Sequence, residues 1–189
     1  MKEPKVVYLR IMTFHSFVIG SLAIVAILLG GCAAQTHVAI APEGTIVYVV
    51  RHAEKLDTSI DTPLSEIGEA RAIALADRLA DGHVQRIYAT TALRTQQTVG
   101  VLAERLGLEQ EVMDPGAVDE LIVRIKTEDS GKVVLVAGHS NTVPRIVRGL
   151  SGQEIEAIPE GRYDRLYRLE LAVDGGMKVE ELRYGSPTP

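Results

Sequence analysis

The sequence predicts an α/β fold in three layers, α/β/α, with a mostly parallel central sheet. Apolar, β-branched runs with little polarity recur along the chain, as in strands that are buried on both faces. Amphipathic stretches with helical periodicity lie between these runs, and Ser, Gly or Pro mark their ends. Because strands that alternate with helices build a sheet covered on both sides, this order favours parallel strands. A length of 189 residues suits one such domain with a short appendage.

Apolar and alternating runs place the strands of this sheet. The clearest is Lys132 to Ala137, Lys-Val-Val-Leu-Val-Ala, whose nearly continuous apolar sequence is typical of a central strand. Two alternating segments flank Asp174-Gly175-Gly176 and are predicted to pair as a hairpin. The predicted strands are, in chain order, 45–50, 84–89, a short one near 111, 132–137, 165–171 and 177–184.

Four helices are predicted between these strands. Ser65 is a suitable N-cap for the first helix, and Gly107 closes the second. Pro144 lies in the first turn of the fourth helix, where proline is tolerated because that N–H has no helical partner. The predicted helices cover residues 66–80, 92–106, 118–127 and 141–150.

The N-terminal segment differs in composition from the rest of the chain. Three of its first ten residues are basic, and no Asp, Glu, Lys or Arg occurs from Ile11 to Ala34. A basic start, an apolar stretch and small residues before a cleavage point form the layout of a signal peptide. We therefore expect residues 1–31 to be a signal peptide.

A bacterial lipobox is the pattern that Leu29-Gly30-Gly31-Cys32 resembles, and in a lipobox the cysteine accepts a lipid. Cys32 is the one cysteine of the sequence, and its place directly after an apolar run is poorly explained by a buried core thiol. We therefore expect a lipid on Cys32, a linker over residues 32–44 and a domain over residues 45–185.

The lipobox implies a membrane partner and a place in the bacterial cell envelope, facing the periplasm. Ala33 follows the cysteine instead of Asp, which favours the outer membrane in a Gram-negative cell. An uncleaved membrane anchor is the alternative, because the 24 uncharged residues 11–34 are long enough to span a bilayer.

The charge balance argues against nucleic acid as a partner. The chain has 20 basic and 25 acidic residues, and cleavage before Cys32 would leave 17 and 24, a net charge of −7. A surface of this sign repels a polyanion. A small anionic substrate would need positive charge concentrated in a cleft.

Polar side chains follow three of the predicted strands at their carboxyl ends, where ligands bind in folds of this class. They include two arginines and two histidines. Arginine matches phosphate oxygens in two-point contacts, and a neutral imidazole is a competent nucleophile toward phosphorus. Phosphoryl transfer needs mainly positioning and positive charge, so this set requires no metal or other cofactor. The three segments are Arg51-His52-Ala53-Glu54-Lys55, Thr90-Thr91-Ala92-Leu93-Arg94 with Gln97-Thr98, and Gly138-His139-Ser140-Asn141.

These segments, together with Leu64-Ser65-Glu66-Ile67-Gly68, resemble the histidine phosphatase superfamily, also called the phosphoglycerate mutase-like family. The resemblance extends from about Thr45 to Tyr184 and keeps the order of the family's motifs. It implies the phosphoglycerate mutase-like fold and a metal-independent phosphatase that takes a small phosphorylated substrate.

Roles for individual residues follow from the same resemblance. His52 would be the phosphoryl acceptor, and Arg51, Arg94 and His139 would form the phosphate pocket. The family also uses an acidic residue to protonate the leaving oxygen, and Glu120 is the candidate here.

The spacing of the motifs points to a small member of the family. Only 44 residues lie between Arg94 and His139, which leaves no room for a large cap. The chain therefore resembles the small members, including small phosphohistidine phosphatases, some of which lack the acid.

The chain departs from the family pattern after the first histidine. Many members have Gly there, followed by a Thr and an Asn that touches phosphate, whereas this chain continues with Ala53 and then Glu54-Lys55-Leu56-Asp57. The missing Asn favours hydrolysis over mutase activity. Because ATP-driven kinases are scarce outside the cytoplasm, a small phosphomonoester is a better expected substrate than a phosphohistidine protein.

Two other functions remain open from the sequence. One is a non-catalytic envelope lipoprotein that binds a phosphorylated ligand. The other is a serine hydrolase with Ser140 as nucleophile, although Thr142 stands where a nucleophile elbow requires Gly.

Overall fold

The structure, a computed structural model, describes residues 44–189. The expected signal peptide, the lipidation site Cys32 and residues 32–43 of the expected linker lie outside the described residues, and the lipid anchor and envelope location stay predictions. Within residues 44–189, no helix combines the length and the apolar character needed to cross a membrane.

Six strands and four helices alternate through most of the described chain. Their bounds are β1 Gly44–Arg51, α1 Glu66–Arg78, β2 Arg86–Thr90, α2 Leu93–Leu106, β3 Gln110–Met113, α3 Val118–Thr127, β4 Val133–Gly138, α4 Val143–Ser151, β5 Arg165–Ala172 and β6 Met177–Arg183.

The strands form one mixed sheet in the order β3-β2-β4-β1-β5-β6. Strands β3, β2, β4 and β1 run parallel, whereas β5 pairs antiparallel with β1 and β6 pairs antiparallel with β5. The predicted α/β fold with a mostly parallel sheet is therefore confirmed. Strand β4 lies inside the parallel part, and its six residues are all buried, as its apolar sequence predicts.

Helices cover both faces of the sheet, which gives the three predicted layers. Alternate residues of β4 divide between the faces: Val134 and Val136 pack with α3 and α4, and Leu135 and Ala137 pack with α1 and α2. The apolar faces of the helices supply the rest of the two cores, with Leu121, Ile125, Ile146, Val147 and Leu150 on one side and Leu75, Ala76, Val99, Leu102 and Ala103 on the other.

Several element boundaries differ from the predicted ones by one or two residues. Strand β1 begins at Gly44, inside the expected linker, and its backbone lies so close to the carbonyl of Leu171 that no side chain would fit there. Helix α4 begins at Val143 instead of residue 141, because the Thr142 hydroxyl accepts a hydrogen bond from the backbone N–H of His139 (2.8 Å) and closes a turn before the helix. Hydrogen bonds of the fold extend beyond residue 185, the predicted end of the domain, as far as Thr188, whose hydroxyl donates to Asp164 (2.8 Å).

The register of the central strands sets the position of the site. Arg51 at the end of β1 stands opposite Gly138 at the end of β4. The backbone N–H of His52 donates to the carbonyl of Gly138 at 2.9 Å. His52 and His139 therefore follow neighbouring parallel strands at the same edge of the sheet.

Helix α1 supports the segment that follows β1. Ser65 caps the helix, accepting from the N–H of Gly68 at 3.2 Å, and its own N–H donates to the carbonyl of Glu54 at 3.0 Å. Gly68 lies against the backbone of Glu54, where a side chain would collide with the Glu54 carbonyl. This close contact holds the residues directly after His52 against the start of helix α1.

Candidate active site

His52 is buried at the carboxyl end of β1. Its Nδ1 lies 2.7 Å from the backbone carbonyl of Ala53. A carbonyl only accepts hydrogen bonds, so the ring proton is on Nδ1 and the lone pair is on Nε2. Burial lowers the pKa of His52 to about 3; the Ala53 bond opposes this shift, and the positive charges of Arg51 and Arg94 add to it. At neutral pH the ring is uncharged, and Nε2 carries an unprotonated lone pair.

The loop that carries this histidine is held from α2. The hydroxyl of Thr98 accepts from the N–H of Ala53 at 2.9 Å, and the amide oxygen of Gln97 accepts from the N–H of Leu64 at 2.8 Å. Gln97 and Thr98, which belong to the second sequence segment, thus position the residues that follow His52.

His139 faces His52 from the end of β4. The ring centroids are 5.4 Å apart, with the planes inclined at 65°. His139 Nε2 lies 3.0 Å from the hydroxyl oxygen of Thr90, at the end of β2. Burial, followed by the charges of Arg94 and Arg51, lowers the pKa of His139 to about 4. His139 is therefore neutral at pH 7, and an anion bound beside it would favour its protonation.

Arg51 is buried and anchored by backbone carbonyls. Its Nη1 donates to the carbonyls of Pro159 (2.9 Å), Glu160 (2.6 Å) and Arg162 (3.2 Å). The guanidinium carbon stands 4.3 Å from the ring centroid of Tyr163, a cation–π contact. Nε is buried and has no hydrogen-bond partner in the structure. Because the guanidinium is planar and Nη1 is held by these carbonyls, the N–H groups on its other side have a fixed orientation.

Arg94 lies in the first turn of α2 and is held by the loop before α1. Its Nη1 donates to the carbonyl of Ile60 at 3.0 Å, and its Nε is buried without a partner. Asp61 in the same loop accepts from the N–H of Leu93 at 2.8 Å and so caps the start of α2. A cation near a helix N-terminus opposes the helix dipole, which favours an anion beside it.

One cleft of about 770 Å³ gathers these groups. Its charged lining consists of four cations, Arg51, Lys55, Arg94 and Arg145, and two carboxylates, Asp61 and Glu160. The whole chain carries a net charge of −5, so the cleft concentrates positive charge on an acidic protein. Such a cleft attracts small anions.

Four of the five residues predicted for catalysis and phosphate binding line this cleft: Arg51, His52, Arg94 and His139. Glu120 does not line it. Its carboxylate lies 3.5 Å from Arg124 on the same helix, and Arg124 also donates to Glu111 of the edge strand β3 at 3.0 Å. The structure thus places Glu120 in a surface ion-pair cluster beside β3.

Ser140 also lines the cleft, next to His139. The imidazole of His139 is bonded to Thr90, so Nε2 is engaged away from this serine. Within residues 44–189, no group of three His, Cys, Asp or Glu side chains is arranged to hold a metal ion.

Sequence reasoning assigned no role in the site to Thr90, Glu160, Tyr163 or Arg145. Thr90 was included in the second segment, directly after the predicted strand 84–89, but its contact with His139 was not predicted. Tyr163 is one of only eight aromatic residues, six Tyr and two Phe, which was a usable signal. No local pattern pointed to Glu160, because its contact with Arg51 spans 109 positions of the chain.

Comparison with known proteins gives a family match over the first half of the domain. Residues 47–115 match the model of the histidine phosphatase superfamily (branch 1). This range contains Arg51, His52 and Arg94.

Curated relatives share part of their length with this chain. A probable phosphoglycerate mutase GpmB of Cronobacter sakazakii is 28% identical over 123 residues, which cover 61% of this chain and 52% of the relative. A protein of the same name from Yersinia pestis is 36% identical over 76 residues, which cover 36% of this chain and 35% of the relative. The chain therefore spans about half or less of the length of these relatives.

Solved structures share the fold. The protein histidine phosphatase SixA in complex with tungstate has a TM-score of 0.58 at 22% identity, covering 73% of this chain and 96% of SixA. A putative phosphohistidine phosphatase SixA of Agrobacterium tumefaciens scores 0.56 at 23% identity, covering 76% and 99%. A mycobacterial glucosyl-3-phosphoglycerate phosphatase scores 0.58 at 13% identity, covering 75% and 100%.

Residues 47–115, which carry Arg51, His52 and Arg94 of the cleft, are similar to the histidine phosphatase superfamily (branch 1), and the fold is similar to that of SixA and of the mycobacterial phosphatase.

Proposed function

We propose that this protein is a phosphatase that hydrolyses a small phosphomonoester through a phosphohistidine formed on His52. The observation that carries the proposal is the neutral His52 ring, with its proton on Nδ1, in a cleft lined by Arg51, Arg94 and His139. The fold neighbours include a protein histidine phosphatase and a glucosyl-3-phosphoglycerate phosphatase, which supports a phosphatase-type enzyme.

In the first step Nε2 of His52 attacks phosphorus, and the bond from phosphorus to the ester oxygen breaks. Unpartnered guanidinium N–H groups of Arg51 and Arg94 are available to the equatorial phosphate oxygens. The positive charge supplied by these arginines stabilises the transferring group, which is the main requirement of phosphoryl transfer. Because the Ala53 carbonyl holds Nδ1–H, the ring can carry the phosphoryl group without losing its orientation.

In the second step water attacks the phosphohistidine, the P–N bond breaks, and inorganic phosphate and free His52 result. The cleft is open to solvent, which supplies this water.

The leaving oxygen of the first step takes a proton, for which the sequence proposes Glu120 as donor. Because that carboxylate is paired with Arg124 outside the cleft, the role would require a rearrangement at the start of α3.

Two further points belong to the proposal. Arg51 and Arg94 supply the positive charge, so the reaction is proposed to need no metal. The lipobox ending at Cys32 supports anchoring of the domain to the envelope face of a bacterial membrane, where a small phosphomonoester is a better candidate substrate than a phosphohistidine protein.

The test is release of phosphate from p-nitrophenyl phosphate by the purified full-length chain in the presence of EDTA. We expect activity in the wild type and its loss in H52A. The matched control is H83N, since His83 lies in a loop away from the cleft and Asn tolerates its positive φ of 53°.

A mass-spectrometric search for phosphate on His52 after rapid quenching separates catalysis from mere binding. Phosphate binding without turnover and without phosphohistidine would favour the non-catalytic ligand-binding lipoprotein. Full activity in H52A would contradict the proposal.

A further inference from the structure

The donors of Arg51 are divided between protein and ligand. A guanidinium has five N–H groups. Nη1 is used by the carbonyls of residues 159, 160 and 162, whereas Nε is buried without a partner. Nε and Nη2 form the edge of the guanidinium that binds an oxyanion at two points. In this structure Nη2 of that edge is already taken by a carboxylate.

That carboxylate belongs to Glu160. Its Oε2 lies 3.1 Å from Nη2 of Arg51, and its Oε1 lies 3.6 Å from Nζ of Lys55. The side chain of Glu160 is 73% exposed, whereas that of Arg51 is 3% exposed. An anion that reaches from solvent to a buried cation in the reaction cleft stands where a substrate phosphate would be bound.

We propose that Glu160 is the resident counter-ion of the phosphate pocket and sets the pocket's affinity for phosphate. When phosphate enters, Nη2 of Arg51 donates to it, and the exposed side chain of Glu160 rotates away from the cleft into solvent. The exchange replaces one anion on a buried cation by another, so Arg51 is never left without a counter-charge. Because the carboxylate and a phosphate dianion repel each other at this distance, each lowers the occupancy of the other.

The inference rests on the proposed phosphate pocket, but it does not depend on hydrolysis. A purely structural role for Glu160 predicts the opposite sign: if the carboxylate mainly held Arg51 in place, its removal would weaken phosphate binding. A competing role predicts stronger binding after removal. The sign of the change therefore decides between the two roles.

The experiment is isothermal titration of the full-length protein in detergent with inorganic phosphate at pH 8, where phosphate is a dianion. E160Q removes the charge and keeps the shape, and we expect it to bind phosphate roughly fivefold more tightly than the wild type. E160D retains the charge on a shorter side chain that cannot reach both cations, and we expect an intermediate dissociation constant. E160D also keeps the test valid if E160Q folds poorly.

The matched control is E156Q. Glu156 lies in the same loop, is 88% exposed and pairs with Arg165 at 3.7 Å, outside the cleft. We expect E156Q to bind phosphate as the wild type does. Unchanged, weaker or absent phosphate binding in E160Q would overturn the inference, whereas hydrolysis of p-nitrophenyl phosphate by the same preparation tests the proposed function separately.

Discussion

At the scale of single residues, the site depends on which nitrogen atoms of each imidazole and guanidinium group are left without a protein partner. His52 presents Nε2 because Nδ1 is bonded to a carbonyl, and Arg94 presents its remaining donors because Nη1 is bonded to Ile60. In both cases a backbone oxygen orients the functional group. Every residue type has a backbone carbonyl, so the residues that provide these acceptors need no particular side chain. This orientation therefore does not appear as a sequence pattern.

The role of Glu120 can be tested at this scale through the choice of leaving group. General acid catalysis contributes about 10²- to 10⁴-fold when the leaving oxygen is basic and little when it is a good leaving group. Because Glu120 pairs with Arg124 outside the cleft, we expect E120Q to reduce kcat for glycerol phosphate no more than kcat for p-nitrophenyl phosphate. A selective loss with glycerol phosphate would show that Glu120 donates the proton, and E128Q, at an exposed position at the other end of α3 and outside the cleft, is the control.

At the scale of elements, one buried arginine joins three segments behind the site. Arg71 on α1 donates to both carboxylate oxygens of Glu54, with distances from 2.7 to 2.9 Å. It also donates to the carbonyls of Tyr184 (3.1 Å) and Ser186 (2.9 Å). The loop after β1, helix α1 and the C-terminal segment therefore share one guanidinium.

Substitution R71Q should reduce stability strongly. It leaves the Glu54 carboxylate, whose side chain is 16% exposed, without its counter-charge, and breaking such a pair costs about 3 kcal/mol. We expect this loss in the free energy of unfolding measured with urea. R78Q, an exposed position at the end of the same helix, should change it by less than about 0.5 kcal/mol, and equal effects of the two variants would contradict the role of Arg71.

The elements themselves were largely predictable from the sequence, and the site only in part. Apolar runs and capping residues locate strands and helices because burial and capping act locally; β4 and the N-cap Ser65 are examples. The orientation of Glu120 was not predictable, because the face of α3 that packs inward through Leu121 and Ile125 also decides where its polar residues point. The contact of Glu160 with Arg51 depends on the complete fold.

At the scale of the whole molecule, the two buried histidines couple stability to pH. The pKa of His52 is about 3 in the folded chain, compared with an ordinary value of 6.5, and that of His139 is about 4. At pH values between the folded and the ordinary pKa of each histidine, the unfolded chain binds more protons than the folded chain. The free energy of unfolding therefore rises with pH in this range, and the contribution of the two histidines is lost as pH falls below about 6.5.

For His52 alone this linkage is about 2 kcal/mol between pH 7 and pH 5. We expect the free energy of unfolding of the wild type, measured with urea, to fall over this range, and that of H52N to fall less. A double variant, H52N with H139N, should fall least. Equal pH dependence in the wild type and in both variants would contradict the neutral state of the two rings.

The three carbonyls that hold Arg51 give this residue a structural role beside its proposed role in anion recognition. They connect the end of β1 to a segment 108 to 111 positions further along the chain. Any replacement of Arg51 would release that segment and also remove an N–H donor of the proposed phosphate pocket, so the two roles cannot be varied separately at this position. Arg94, with one backbone carbonyl as its hydrogen-bond acceptor, is the position where they can.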